Sequence, residues 1–186
     1  LDNFFSEIAF PISLGSVLEE YEGEAKPSNA HWVVYPGGKI VSYRKIHLFD
    51  YSSGTSQYKE SDDVDRGHEI VSTQIASWKT GLSICFDLRF PELFRNLTFH
   101  HNTELLLIPA AFTLETGERH WHTLLKARAV ENLSYVIAAG QWGSHKNAQG
   151  TELFCFGNSA IYGPWGELIA VAPLDADSLL IADLDQ

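Results

Sequence analysis

The amino-acid sequence predicts a layered α/β domain in which one sheet packs against another and helices cover the sheets. Short apolar segments of strand length recur along the chain, whereas only two segments have the periodicity of an amphipathic helix. No internal repeat and no linker-like segment divides the 186 residues. Many strands with few helices are typical of sheets covered by helices. We therefore expect a single domain over residues 1–186.

The strands are predicted from short apolar or alternating segments bounded by turn residues. Residues 31–36 and 39–45 flank Gly37 and Gly38, which is a strong hairpin signal. The segment 104–112, which is apolar throughout after Glu104, is typical of a strand buried on both faces. The remaining predicted strands are 11–18, 68–76, 81–85, 134–142, two strands within 156–172 around a turn at 164–166, and 178–185.

Two helices are predicted. The first begins at Pro91, a residue favoured in the first helical turn, with Glu92 near the positive end of the helix dipole. The second covers about residues 118–133, with Thr116 in position to cap it. The apolar side chains that share a face are Leu93, Phe94 and Leu97 in the first helix and Trp121, Leu124, Leu125 and Ala129 in the second.

Composition and charge exclude several classes of function. The net charge of −11 argues against a nucleic-acid partner, because phosphate binding needs a basic surface. No stretch approaches the roughly 18–20 apolar residues of a membrane span, and the first residues do not resemble a signal peptide. Cys85 and Cys155 do not suggest a disulfide framework. We expect a cytoplasmic protein without a nucleic-acid or membrane partner.

Cys85 lies where an apolar segment ends and the chain turns toward the helix that begins at Pro91. A thiolate is a strong nucleophile, and its formation is favoured near cations and helix N-termini. The N–H of Phe86, the next residue, could face an oxyanion on the carbon that the thiol attacks. Cysteine is also a small hydrophobic residue that is common in cores. From these residues alone, Cys85 is either a nucleophile or a buried structural residue.

Lys45 and Glu60 also allow two interpretations. Lys45, at the end of a strand-like run, could stabilise a developing negative charge or supply a proton. It could equally be a solvated lysine at the end of a strand. Glu60, taken alone, is an unremarkable surface carboxylate.

No metal ion or cofactor is predicted. Cys155 stands in LFCFG without polar neighbours and is interpreted as structural. His120 and His122 are two positions apart and do not share a helix face. His100 and His101 are adjacent, which suits one ion poorly. No glycine-rich phosphate loop follows a predicted strand.

Taken together, nine ordered motifs resemble the nitrilase (carbon–nitrogen hydrolase) superfamily, and they span nearly the whole chain. They are GS at 15–16, GGKIVSYRKIHLFD at 37–50, ES at 60–61, SICFDLRFPEL at 83–93, PAAFTLETG at 109–117, HW at 120–121, KARAVEN at 126–132, AAGQWGSH at 138–145 and FGNSAIYGPWGE at 156–167. The resemblance implies an α-β-β-α sandwich that commonly forms a homodimer. It also implies a cofactor-independent Glu–Lys–Cys triad that hydrolyses a small-molecule amide.

Carried over residue by residue, the resemblance implies a role for each candidate. Cys85 would be the nucleophile. Lys45 and the backbone N–H of Phe86 would stabilise the oxyanion, with Lys45 also able to donate a proton. Glu60 would be a second glutamate that supports the lysine and helps to position the substrate or water.

The motifs RKIHLFD, CFDLRFPEL and AAGQWGSH look most like the Nit branch of the superfamily. That branch hydrolyses the ω-amides of small 2-oxo acids, or deaminated glutathione. A substrate with a carboxylate needs a cation nearby, which Arg89 or Arg119 could supply. Each arginine could instead pair only with local groups.

The sequence departs from the family pattern at three points. Nothing in residues 1–44 matches the early-strand glutamate that serves the family as general base. We therefore expect that glutamate and the first strands to lie outside these residues, in roughly 60–80 further N-terminal residues. His122 stands where a glutamate is frequent, and Gly163 stands where an aspartate is common.

Two alternatives to an amidase stay open at this point. One is an enzyme of the same fold that hydrolyses an N-carbamoyl compound. The other is a truncated, inactive homologue that acts as a binding or assembly subunit, an alternative that the missing glutamate motivates.

Overall fold

The computed structural model describes residues 5, 7–53, 56–146, 150, 152–174 and 177–185. Within these residues, thirteen strands and two α-helices are numbered in chain order. The strands are β1 (Ile12–Glu19), β2 (Ser28–Val34), β3 (Ile40–Arg44), β4 (Asp50–Ser53), β5 (Ser56–Lys59), β6 (Ser72–Ile75), β7 (Trp78–Leu82), β8 (Leu105–Leu107), β9 (Tyr135–Ala138), β10 (Trp142–Lys146), β11 (Glu152–Phe156), β12 (Ala160–Tyr162) and β13 (Leu168–Val171). The helices are α1 (Pro91–His101) and α2 (Leu114–Asn132), and short 3-10 helices cover Glu60–Asp62 and Cys85–Arg89.

A six-stranded sheet lies at the centre of the described chain. Its strand order is β13-β12-β9-β8-β7-β6, with β7, β8 and β9 parallel and the remaining pairs antiparallel. A three-stranded antiparallel sheet, β1-β2-β3, packs against one face, and α1 and α2 pack against the other. The prediction of sheet against sheet under helices is therefore confirmed.

Strand β8 explains this layering, because its side chains face two cores in alternation. Leu105 and Leu107 contact residues of the three-stranded sheet, such as Val33 and Tyr43. Leu106 lies in the core cluster beneath the helices. Both faces of β8 are thus buried, which is why the sequence there is apolar without interruption.

The predicted segments correspond to the observed elements with several changes. The hairpin at Gly37 and Gly38 joins β2 to β3, and both predicted helices form. The second helix begins earlier than predicted, because Thr113 and not Thr116 is its cap. The Thr113 hydroxyl accepts from the Thr116 N–H at 3.4 Å. The hairpins β4–β5 and β10–β11 were not predicted.

The strand predicted at 178–185 is wrong. Residues 177–185 form no strand, and Leu179 and Ile181 are 83% and 82% exposed. A strand needs a neighbour to complete its hydrogen-bond ladder, and this segment has none among the described residues. Its contacts include the Tyr135 hydroxyl, which donates to the Asp185 carbonyl at 3.1 Å, and the Trp142 indole N–H, which donates to Asp177 Oδ1 at 3.0 Å. Leu184 packs against the core between the sheets.

His31 on β2 is completely buried between the sheets and forms two hydrogen bonds. Its Nδ1 lies 3.0 Å from the Ser83 carbonyl oxygen, so this nitrogen carries the proton. Its Nε2, 2.7 Å from Ser13 Oγ, therefore accepts from that hydroxyl. Burial lowers the pKa of His31 from 6.5 to about 4, so the neutral ring belongs to the folded state.

The low pKa of His31 predicts a pH-dependent stability. The unfolded state takes up a proton on His31 below pH 6.5, whereas the folded state resists it until about pH 4. This contribution is therefore complete above pH 6.5 and is lost as the pH falls toward 4, to a limit of about 3 kcal/mol. We expect urea unfolding of His31→Gln to show a shallower loss of stability over this range than the wild type.

The matched control for this experiment is His68→Gln, because His68 is exposed. It should follow the wild-type curve. A His31→Gln protein whose stability falls with pH as steeply as the wild type would contradict the assignment of the neutral ring.

No helix among the described residues is both long and apolar enough to span a membrane.

Candidate active site

Cys85 lies on a sharp elbow between β7 and α1. The strand ends at Leu82, and Cys85 opens the short 3-10 helix with φ +47°, a left-handed conformation that is uncommon for residues other than glycine. The N–H of Cys85 donates to the Pro109 carbonyl at 2.8 Å, which ties the elbow to the segment that follows β8. Cys85 is a free cysteine and, taken as a whole residue, is neither fully buried nor fully exposed. A backbone held in this conformation is typical of a functional position.

Two groups oppose the effect of burial on the Cys85 thiol. Burial raises the pKa of this thiol above its usual value, and the positive charge of Lys45 and a hydrogen bond from the Ala111 N–H, which lower it, offset only part of that rise. The negative charges of Glu60 and Asp87 raise it further. The site therefore brings one cation and one backbone donor to the sulfur, and both favour the thiolate.

Lys45 and Glu60 form a buried ion pair. The Lys45 Nζ lies 2.6 Å from Glu60 Oε2, and the two residues are only 3% and 7% exposed. The same carboxylate accepts from the Phe49 N–H at 2.6 Å and from Asn29 Nδ2 at 2.9 Å. The interpretations of Lys45 and Glu60 as solvated surface residues are therefore wrong. With three donors bound, the Glu60 carboxylate is held as the fixed partner of the lysine.

The backbone on either side of Lys45 is also held in place. The Lys45 N–H donates to the Asn29 carbonyl, and its own carbonyl accepts from the Gly67 N–H, both at 2.8 Å. Gly67 packs directly on the backbone of Arg44, where a Cβ atom would clash. These contacts fix the backbone from which the lysine side chain extends, just after the end of β3.

Asp87 was not identified from the sequence. It is completely buried, and its carboxylate accepts four hydrogen bonds. Oδ1 accepts from the backbone N–H of His47 at 3.0 Å and from its ring Nδ1 at 2.7 Å. Oδ2 accepts from the Tyr43 hydroxyl at 2.7 Å and from the Ile84 N–H at 2.9 Å. The one local signal was an acidic residue at the third position of a helical turn, where it can cap the preceding N–H.

Phe86 contributes to an aromatic wall beside the thiol. Its ring lies 5.0 Å from that of Phe49 and 5.5 Å from that of Phe90, centroid to centroid. Its backbone N–H belongs to the first turn of the 3-10 helix, where N–H groups have no intrahelical partner.

Of the two candidate arginines, Arg89 lies near enough to the thiol for the charge of Cys85 to act on it. Its guanidinium packs over the rings of Phe86 and Phe112, at 5.8 Å and 5.4 Å. It donates to His120 Nδ1 at 3.2 Å and has no acidic partner among the described residues. Arg119 is 71% exposed and faces Glu115 at 3.9 Å.

The departures at His122 and Gly163 are accommodated locally. The His122 ring links α2 to β12 and to the loop before it, with Nδ1 at 2.8 Å from the Tyr162 hydroxyl and Nε2 hydrogen-bonded to the Asn158 side chain. The Glu167 side chain folds over Gly163, in the space that a side chain there would need.

Cys155 lies on β11 and is buried. It has one polar neighbour that the sequence did not suggest, His145 Nδ1 at 3.7 Å from its sulfur. A cavity of about 390 Å³ lies beside it, and neither Cys85 nor Lys45 belongs to the lining of that cavity. Among the described residues, no group of three or more His, Cys, Asp or Glu side chains could hold a metal ion.

Comparison with known proteins identifies the family. The family model described as carbon-nitrogen hydrolase matches residues 6–186. This chain belongs to the carbon–nitrogen hydrolase family. A deaminated glutathione amidase from Dictyostelium discoideum is 41% identical to it over 160 residues, which cover 84% of this chain and 53% of that protein. The nitrilase and fragile histidine triad fusion protein NitFhit from Caenorhabditis elegans is 38% identical over 180 residues, or 94% of this chain and 39% of that protein.

Solved structures of the carbon–nitrogen hydrolase family share the fold. The crystal structure of C. elegans NitFhit superposes with a TM-score of 0.82 at 35% identity, covering 93% of this chain and 42% of that chain. Saccharomyces cerevisiae Nit3, a member of branch 10 of the nitrilase superfamily, gives 0.77 at 28% identity, covering 93% and 59%. The resemblance to the nitrilase superfamily and the prediction of its fold are confirmed. The chain spans about half the length of the curated relatives it matches.

Proposed function

We propose that the protein is a thiol-dependent amidase, which cleaves a non-peptide C–N bond of a small, carboxylate-bearing amide through a thioester on Cys85. The observation that carries this proposal is the burial of the Lys45–Glu60 ion pair close enough to Cys85 for both charges to act on the thiol. Membership in the carbon–nitrogen hydrolase family supports the same class of reaction.

In the first half of the reaction, the Cys85 sulfur forms a bond to the amide carbon, and the carbonyl oxygen becomes an oxyanion. The ammonium group of Lys45 and the N–H of Phe86 stabilise this negative charge. The C–N bond then breaks, and the nitrogen leaves as ammonia after receiving a proton. The acyl group stays on Cys85 as a thioester.

In the second half, water attacks the thioester carbon and the C–S bond breaks. The carboxylic acid leaves, and the thiol of Cys85 is regenerated. Two acyl transfers thus replace one difficult amide cleavage.

The thiol proton must pass to a general base and from there to the leaving nitrogen. Glu60 does not suit this role, because its carboxylate already accepts from Lys45, Phe49 and Asn29. Among the described residues, no carboxylate or imidazole is hydrogen-bonded to the Cys85 sulfur. The glutamate that serves the family as base thus stays a prediction from the resemblance, and no position in residues 1–44 matches it.

The substrate class follows from the relatives and from Arg89. Several relatives are named deaminated glutathione amidase, and both deaminated glutathione and the ω-amides of 2-oxo acids carry a carboxylate. Burial lowers the pKa of Arg89, and the Cys85 thiolate opposes that change, so the guanidinium is both near the thiol and partly desolvated. We assign Arg89 as the group that binds the substrate carboxylate, since a guanidinium pairs with a carboxylate through two parallel hydrogen bonds.

Arg89→Gln tests the substrate class. We expect it to raise KM for deaminated glutathione or for a 2-oxo-acid ω-amide by about 10- to 100-fold, the cost of one charge-assisted hydrogen-bonded pair, while kcat changes less. Ammonia release under steady-state conditions measures both constants. For a neutral amide of similar size, Arg89→Gln should raise KM far less, because that substrate has no carboxylate for the arginine to bind.

Arg119→Gln is the matched control, since Arg119 is exposed on α2, and its KM should equal that of the wild type. Equal KM values for Arg89→Gln and the wild type would contradict the role of Arg89. Release of CO₂ from an N-carbamoyl compound in place of ammonia from the amides would favour the N-carbamoyl hydrolase. A protein that binds these amides without hydrolysing them would favour the binding or assembly subunit.

Three further expectations accompany this proposal and stay predictions. They are a single carbon–nitrogen hydrolase domain over residues 1–186, a homodimer and a cytoplasmic location.

A further inference from the structure

We propose that Asp87 is a positioning residue that fixes the side chain of Lys45 relative to the thiol of Cys85. Tyr43 and His47 lie two residues before and two residues after Lys45, and both bind the Asp87 carboxylate. The same carboxylate lies two residues after Cys85. One buried side chain therefore joins the segment that carries the lysine to the elbow that carries the thiol.

Each oxygen of the carboxylate has a separate set of donors. Oδ1 is bound by His47 alone, whereas Oδ2 joins the Tyr43 hydroxyl to the N–H of Ile84, the residue before the thiol. An ionised carboxylate only accepts hydrogen bonds, so it satisfies all four donors. An asparagine would keep one accepting oxygen and would place an NH₂ group where the second oxygen was. That NH₂ group would face donors and could accept from none of them.

The donors are themselves held rigidly. Tyr43 is completely buried, and its hydroxyl oxygen also accepts from the Ile46 N–H at 3.2 Å. The His47 ring stacks on Phe90, with the ring centroids 3.8 Å apart and the planes within 7° of parallel. A displacement of the carboxylate would therefore move the backbone on both sides of Lys45.

Two effects of removing Asp87 would change the pKa of the Cys85 thiol in opposite directions: the loss of its negative charge and the displacement of Lys45. The negative charge of Asp87 by itself raises the pKa of the thiol, so its removal alone would lower that pKa. The positive charge of Lys45 lowers the pKa of the thiol, so a displaced lysine would raise it. The titratable groups that act on this thiol or feel its charge are Lys45, Glu60, Asp87, Arg89, Tyr58 and Cys155.

The test is the pH profile of Cys85 alkylation by iodoacetamide, read on the Cys85 peptide by mass spectrometry, in Asp87→Asn and Tyr43→Phe. Tyr43→Phe removes one oxygen and no charge at neutral pH, so it tests the proposal even where Asp87→Asn does not fold. We expect both variants to raise the apparent pKa of Cys85. We also expect both to lower kcat for the amide by up to about 10²-fold, with little change in KM, as for a misplaced catalytic group.

Asp63→Asn removes an exposed carboxylate and should leave both readouts unchanged. A lowered apparent pKa in Asp87→Asn, or an unchanged profile in Tyr43→Phe, would overturn the proposal. The kcat readout rests on the proposed function, whereas alkylation needs no substrate. A raised pKa in a protein that releases no ammonia would therefore support the role of Asp87 and contradict the amidase.

Discussion

Replacing Cys85 with alanine should lower the rate of ammonia release by at least about 10⁴-fold, because the proposed reaction loses its nucleophile. The fold should survive, since Cys85 is partly accessible and an alanine adds no volume. Steady-state ammonia release at saturating substrate measures the loss, and circular dichroism confirms that the variant is folded.

Cys155→Ser is the control, because Cys155 is the other thiol of the chain. It should retain wild-type turnover. Undiminished ammonia release from Cys85→Ala would exclude the thioester mechanism. If Cys155→Ser lost activity while Cys85→Ala kept it, the nucleophile would be Cys155 and not Cys85.

Replacing Glu60 with glutamine should reduce both activity and stability. The side chain keeps its shape but loses its charge, so Lys45 is left buried without a counter-ion. Breaking a buried ion pair in this way costs about 3–5 kcal/mol of unfolding free energy. A mobile or deprotonated lysine stabilises the oxyanion poorly, and we expect kcat to fall about 10²- to 10³-fold.

Urea unfolding and ammonia release measure these two effects. Asp62→Asn is the matched control, because Asp62 lies in the same 3-10 helix and is exposed. It should change neither quantity. A Glu60→Gln protein with wild-type kcat would contradict the role of the buried pair, whatever its stability.

The layers of the fold could be predicted because their signals are local. The hairpin between β2 and β3 follows from Gly37 and Gly38, and the burial of β8 on both faces follows from its uninterrupted apolar run. The segment at 178–185 also contains an apolar run, at 179–182, and yet forms no strand. The local sequence pattern shows only that a segment is compatible with a strand. Whether the strand forms depends on a neighbouring strand to pair with, which the pattern does not show.

Two strands end earlier than predicted where the candidate site is built. Within the segments predicted at 81–85 and 104–112, the regular strands end at Leu82 and Leu107. The chain beyond them stays hydrogen-bonded to the sheet, because the Cys85 N–H donates to the Pro109 carbonyl and the Ala110 N–H to the Ala139 carbonyl. The residues beyond these points supply the elbow at Cys85, the Pro109 carbonyl that holds it and the Ala111 N–H that faces the thiol. Local rules tend to fail at functional sites, because chemistry there takes precedence over regular structure.

The resemblance pointed to Lys45, Glu60 and Cys85, and the fold brings them together. Asp87 and Ala111 were missed for a physical reason. Their partners are some distance away in the sequence, or are backbone groups without a residue signature. Contacts of this kind become visible only when the tertiary structure is known.

The central claim is a thioester on Cys85, and trapping it tests that claim most directly. The protein is mixed with a carboxylate-bearing amide, quenched with acid while it turns over, and digested for mass spectrometry of the Cys85 peptide. We predict an added acyl mass on this peptide and, when hydroxylamine competes with water, release of the hydroxamate. Continued hydrolysis with neither an acylated Cys85 nor a hydroxamate would contradict the account.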